Sequence, residues 1–241
     1  MTVLQSFHLN GKLALITGSS AGIGFALARA LGEAGAHVIL NGRNAEKVAA
    51  AAATLQAEGL QVSQSVFDVT QAKDVAAAVH QIESEVGALD ILINNAGMQI
   101  RGPLHEYKDE DWHTLMRTNL DSVYFVGKTV AQKMIPRGSG KIINICSVQS
   151  ELGRPGIAPY TASKGAVKML TKGNSCQVRR RMLGQPSCKA YFELYRPEKL
   201  ILVAQSPINL LDRKLCHRRS AVEAIFRTFD ACNLLIYIGF L

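Results

Sequence analysis

Five short apolar runs alternate with amphipathic stretches over the first 173 residues, and no other feature of the chain constrains its fold as tightly. KLALITG (12–18), HVILNGR (37–43), QVSQSVFDV (61–69), LDILINNAG (89–97) and KIINICS (141–147) read as strands. Residues 21–35 place Ile23, Leu27, Ala30 and Leu31 at helical spacing. The stretch 45–59 is rich in alanine, the best helix former, 71–87 is helical in pattern, and 109–135 reads as one long helix. A strand that is apolar throughout is buried on both faces, so helices must cover both sides of its sheet. Strand–helix alternation then means parallel strands joined by crossovers, which are almost always right-handed. The expected architecture is α/β, a doubly wound parallel sheet.

The pattern stops near Gly173. Residues 1–173 hold 16 Lys and Arg against 14 Asp and Glu, whereas 174–241 hold 11 against 5, so most of the net charge of +8 belongs to the C-terminal part. Four of the five cysteines (Cys176, Cys188, Cys216 and Cys232) lie there too, but of the 20 glycines only Gly184 and Gly239. The chain therefore divides into an α/β part, 1–173, and a divergent basic part, 174–241. In the latter, KLILVAQ (199–205) reads as a strand and RRSAVEAIFRTF (218–229) as a helix. Its cysteines form no C-x-x-C pair, so no metal site is expected. RRR and RKLCHRR carry charge outside any recognisable nucleic-acid module. ACNLLIYIGFL is eleven residues long, and a membrane span needs roughly 20. MTVLQSFHLNGK lacks the charged and apolar regions of a secretory signal. These features predict a cytoplasmic protein with reduced cysteines and neither nucleic-acid nor membrane partners.

Thr17 to Gly24 reads TGSSAGIG and sits between the first strand and the first helix. Glycines there allow a tight turn and let a pyrophosphate approach the helix N-terminus. The same pattern also suits a tight connection without a ligand. After the second strand, NGRN (41–44) offers Arg43 where a carboxylate would select a ribose 2′-hydroxyl. A guanidinium there either pairs with a 2′-phosphate, favouring NADP over NAD, or is simply a solvated arginine. Asp68 ends the third strand, where it can accept from an adenine amino group or cap the next turn. NNAG (94–97) ends the fourth; its asparagines can tie strands together and its glycine leaves room for a ligand.

Tyr160 and Lys164, in YTASK, fall on one helical face. A free phenol, with a pKa of about 10, is a poor base at neutral pH. A cation one turn away favours the phenolate. Ser147 ends the fifth strand, at the carboxyl edge where open α/β sheets bind ligands. Asn119, inside the long helix 109–135, can distort that helix locally.

In combination, TGSSAGIG, NNAG, Asn119, Ser147 and YTASK resemble the short-chain dehydrogenase/reductase family over residues 7–173. The resemblance implies a Rossmann-like fold, oxidoreductase activity and a homo-oligomer. It implies that Tyr160 is the general acid/base, Ser147 positions the reacting oxygen, Lys164 binds the nicotinamide ribose and Asn119 supports a proton relay. Cofactor contacts would come from Gly18, Ser20, Gly22, Ile23 and Gly24, then from Arg43 and Asn44. Asp68 and Val69, and Asn95, Ala96 and Gly97, would complete that surface beside Tyr160 and Lys164. Within the family, INICSVQSELGRPGIAPYTASKGAVKMLTKG is similar to members that interconvert D-gluconate and 5-keto-D-gluconate with NADP(H). This implies a sugar-acid substrate; another ketone, such as a 3-oxoacyl thioester, is the alternative. A sugar acid needs a cation for its carboxylate, and Arg101 and Arg154 follow strand ends. Gln149 and Glu151 are candidates for its hydroxyls, alongside Ser147 and Tyr160.

The family pattern breaks after Lys172-Gly173: no R-V-N, P-G or D-G-G segment follows. In the family those segments close the sheet, cover the substrate and build much of the subunit interface. The abrupt change predicts a tail translated out of frame, with apolar sheet surface left exposed. A product made inactive in this way would retain nucleotide binding at most. A genuine alternative C-terminus is the competing reading.

Overall fold

A computed structural model describes residues 8–183 and 236–240, with side chains over 8–174. Five strands form a parallel sheet: β1 (Leu13–Ile16), β2 (His37–Gly42), β3 (Val62–Val66), β4 (Ile91–Asn94) and β5 (Lys141–Ile145). Their order is β3-β2-β1-β4-β5. The chain steps outward from β1 to β3, then returns to β4 on the other side of β1. That reversal opens a crevice at the carboxyl ends of β1 and β4. The doubly wound parallel architecture read from the sequence is therefore present.

Helices α1 (Gly22–Glu33) and α2 (Ala45–Ala57) cover one face, packing Leu27, Ala28, Val48, Ala52 and Leu55 on Ile16, Val38 and Leu40. The opposite face receives α3 (Ala72–Glu85) and, further along, α5 (Ser122–Arg137). There Val75, Val79, Ile82, Val126, Val130 and Met134 meet Leu15, Ile39 and Leu92. Each fully buried leucine or isoleucine in these layers contributes roughly 1.5–3 kcal/mol. The strands are shorter than the apolar runs that announce them. Thr17–Gly18 and Asn95–Gly97 continue past the strand ends at the carboxyl edge, where Thr17 still bonds Ile93 of β4 while Gly18, Asn95, Ala96 and Gly97 line the crevice.

The stretch read as one helix over 109–135 is three pieces. α4 (Asp109–Met116) passes through a π turn, Arg117–Asp121, into α5. The cause lies in Asn119, which is fully buried and reaches across to the backbone of Met98. Widening the turn lets its amide reach that loop; π bulges of this kind are frequent at functional sites.

α6 (Ala158–Leu183) runs unbroken through Gly173, so the change in composition is not a change in secondary structure at that point. The apolar run 231–241, too short for a membrane span, contains β6 (Ile236–Phe240). It pairs antiparallel with β5, the one departure from parallel order among the described strands, and it occupies the β5 edge. The strand expected at 199–205 and the helix at 218–229 lie outside the described residues. Among the described residues no helix is long and apolar enough to cross a membrane.

Candidate active site

A cleft of about 480 Å³ opens at the carboxyl edge between β1, β2, β3 and β4. Its walls bring together residues far apart in sequence: Gly18, Ser20 and Ile23, then Arg43, then Asp68 and Val69, then Asn95, Ala96 and Gly97. The glycine turn is tightly fitted. Gly18 has φ +62, and a Cβ there would lie 2.9 Å from the Cα of Ala96. A Cβ on Gly24 would lie 2.5 Å from Asn95 Nδ2 and would run into the Gly18 carbonyl. Asn95 explains this crowding, since its Nδ2 donates to the carbonyls of both Thr17 and Gly18 at 3.0 Å. Gly22, with φ +59, has no protein atom near its missing Cβ. α1 begins there without a capping side chain and without an acidic residue in its first turn. Its free N–H groups and positive dipole end therefore face an open approach, a suitable seat for a phosphate.

At the other end of the cleft, Arg43 is exposed (74%) and its Nη1 lies 3.9 Å from Asp68 Oδ2. Asp68 Oδ1 accepts from both the N–H and the hydroxyl of Thr70 at 2.8 Å. Asp68 thus caps its own turn and still presents one oxygen to the cleft. Asn44 is occupied differently, since it caps α2 by accepting from Lys47 N at 2.8 Å.

Asn119 and Lys164 come together where the cleft meets α6, and Ser147 is tied to the same helix through Ser150. A Cβ built on Gly97 would sit 3.3 Å from Asn119 Oδ1 and 3.6 Å from Lys164 Nζ. Lys164 is buried (5% exposed) and donates to the Ile145 carbonyl at 2.7 Å. Burial pushes its pKa below the usual lysine value, and the Cys146 thiol opposes that shift. Asn119 accepts from Met98 N, and donates to Met98 O at 2.9 Å and to Ser163 Oγ at 3.1 Å. Ser163 in turn donates to the Tyr160 carbonyl at 2.7 Å. It is fully buried and joins the π turn to α6, a role its position inside YTASK does not announce. Ser147, mostly buried, caps the short turn Val148–Ser150, accepting from Gln149 N at 3.2 Å. Ser150 completes the tie to α6, because its Oγ accepts from Ser147 N and donates to Lys164 O. The strand-end serine and the Tyr–Lys helix are therefore held together by hydrogen bonds on both sides of Lys164.

Of the residues suggested for substrate, Arg101 and Arg154 are exposed on two neighbouring loops joined by Gly102 N donating to Gly156 O at 3.1 Å. Gln149 Oε1 is buried without a hydrogen-bond partner. Glu151 is engaged elsewhere, in an ion pair with Lys168. Among the described residues no group of three His, Cys, Asp or Glu side chains could hold a metal ion.

The short chain dehydrogenase family model matches residues 12–183. The chain belongs to the short-chain dehydrogenase family. Within it, gluconate 5-dehydrogenase of Gluconobacter oxydans is 60% identical over 167 residues, covering 69% of this chain and 65% of that enzyme. The chain thus spans about two thirds of that relative's length. The 5-keto-D-gluconate 5-reductase of Escherichia coli is 47% identical over 174 residues, covering 72% of this chain and 68% of that one. A crystal structure of a gluconate 5-dehydrogenase from Burkholderia cenocepacia, in complex with NADP and tartrate, is 55% identical. It matches with a TM-score of 0.72, covering 75% of this chain and 71% of that one.

Proposed function

We propose that this chain is an NADP-dependent oxidoreductase that interconverts D-gluconate and 5-keto-D-gluconate. The observation that carries the reading is the junction at Gly97, where Asn119 and the buried Lys164 meet the end of a glycine-walled cleft. The residues suit a dinucleotide: the turn at Gly18 and Gly24 has no room for side chains, the α1 N-terminus is uncapped, and Arg43 stands exposed at the outer end. The NADP-bound relative from Burkholderia cenocepacia supports that choice of nucleotide. Bound there, NADPH supplies the hydride.

The chain's own residues then handle the proton and the substrate. Ser147 Oγ accepts the Gln149 N–H, which leaves its own O–H to hold the substrate carbonyl oxygen. Tyr160 gives its hydroxyl proton to that oxygen on reduction and takes it back on oxidation. Lys164, anchored by Ile145 O, keeps two further N–H groups for the nucleotide ribose and for Tyr160. Asn119 holds Met98 and Ser163 in place around it, supporting a proton relay. Arg101 and Arg154, on loops linked to each other, grip the sugar-acid carboxylate, and the unpartnered Gln149 Oε1 accepts from a sugar hydroxyl. The α/β part, 1–173, carries this chemistry, and the protein acts in the cytoplasm.

The test is NADPH oxidation with 5-ketogluconate, using the purified full chain beside Tyr160→Phe. Loss of turnover in the variant with retained NADPH binding supports the mechanism; equal rates remove it. A 3-oxoacyl thioester reduced faster than 5-ketogluconate would shift the substrate assignment. A second reading, nucleotide binding without turnover, is favoured by the family match ending at residue 183. Wild-type chain that binds NADPH but oxidises none with either ketone would select it.

A further inference from the structure

Asn41 connects the two walls of the nucleotide cleft. It is almost completely buried (1% exposed) at the end of β2 and touches both neighbours of that strand. Toward β1, its Oδ1 accepts from Gly18 N at 3.3 Å, its carbonyl accepts from Ser19 N at 2.9 Å, and its own N–H donates to Ser19 Oγ at 2.9 Å. Ser19 passes the link on, donating to Ile16 O at 2.7 Å. Toward β3, Asn41 Nδ2 donates to Ser65 O at 3.1 Å and to Phe67 O at 3.2 Å. The glycine turn hangs from the first set of bonds. Phe67, Asp68 and Val69, on the facing wall of the cleft, hang from the second. One amide thus sets the separation between the seat for phosphate and the seat for the adenosine half.

We propose that Asn41 is a positioning residue for dinucleotide binding, fixing the glycine turn against the β3 end so that both halves of the nucleotide are met at once. This rests on the reading of the cleft as a dinucleotide site and is independent of which ketone is reduced. The residue touches the turn and not the 2′-position, where Arg43 stands. Its loss therefore weakens NADP and NAD alike, whereas loss of Arg43 weakens NADP alone.

The experiment measures binding of NADP and NAD to the full-length wild type, Asn41→Leu, Asn41→Ala and Arg43→Ala by titration calorimetry, without substrate. Melting curves run in parallel establish that each variant is folded at the assay temperature. Asn41→Leu keeps the side-chain volume but takes the amide partner from Gly18 N and from the carbonyls of Ser65 and Phe67. Asn41→Ala serves if the leucine variant does not fold. The expected result is a Kd about tenfold higher for both nucleotides in the Asn41 variants, by the same factor for each, since small displacements of bound groups carry large penalties. Arg43→Ala raises the Kd for NADP only. Folded Asn41 variants that bind both nucleotides as tightly as wild type would overturn the proposal, as would a loss confined to NADP. A wild-type chain that binds neither nucleotide would overturn the cleft reading itself, and the proposal with it.

Discussion

Gly22 and Gly24 stand two residues apart in one turn, and the structure gives them opposite jobs. Replacing Gly24 with alanine puts a methyl group 2.5 Å from Asn95 Nδ2, against the Gly18 carbonyl and 2.9 Å from Ser19 Cα. Two of these contacts are with backbone that cannot rotate away, so the turn must move by about 1 Å to restore van der Waals distance. That movement breaks the fork from Asn95 to Thr17 and Gly18, two bonds worth roughly 1 kcal/mol each. Overpacking adds about 1–3 kcal/mol, so Gly24→Ala should lose about 3–5 kcal/mol of stability. Gly22→Ala meets no protein atom; its cost is the left-handed φ of +59, roughly 1–2 kcal/mol. On the proposed reading, its methyl would crowd the phosphate seated at the α1 N-terminus. The assay is urea unfolding of both variants, paired with NADPH binding followed by nucleotide fluorescence. Gly24→Ala should unfold at clearly lower urea. Gly22→Ala should lose only about 1–2 kcal/mol, well short of Gly24→Ala, yet bind NADPH at least about tenfold more weakly, some 1.4 kcal/mol. Equal stability losses in the two variants, or wild-type affinity in a folded Gly22→Ala, would refute this division of labour.

Three further outcomes follow from the inner end of the cleft. Because burial depresses the Lys164 pKa below 10.5, the unfolded chain holds more protons than the native one between the depressed value and 10.5, and stability rises with pH across that window. In urea melts, wild type should therefore gain stability relative to Lys164→Met as pH rises towards 10.5; a shrinking advantage would reverse the sign. The Cys146 thiol is pushed up to about 11 by burial, so native protein treated with iodoacetamide at pH 8 should leave the Cys146 peptide unmodified. Modification at the rate seen in urea would contradict its burial. Asn119→Leu removes three hydrogen bonds in a buried site and should cost about 2–4 kcal/mol by urea unfolding, with reductase activity falling as well. Unchanged stability would mean that the π turn does not depend on that amide.

The amino-acid sequence by itself determined the layered sheet, because apolar runs that are hydrophobic on both faces have no other stable home. It also determined the glycine turn and the one-face pairing of Tyr160 with Lys164, since both are local consequences of backbone freedom and helical period. It signalled the irregularity at Asn119 but not its form, for a π turn depends on the distant Met98 backbone that the amide reaches. Asn41, Ser163 and Ser150 were invisible in the sequence as site residues: each is a small polar residue whose importance comes from its partners on other elements. Nor did the sequence announce that Asn44 caps α2 or that Glu151 pairs with Lys168. Only tertiary structure decided which polar side chains were left to face a ligand. Burial obliges most polar groups to find a protein partner, and those partners are set by packing between segments that the linear chain keeps apart.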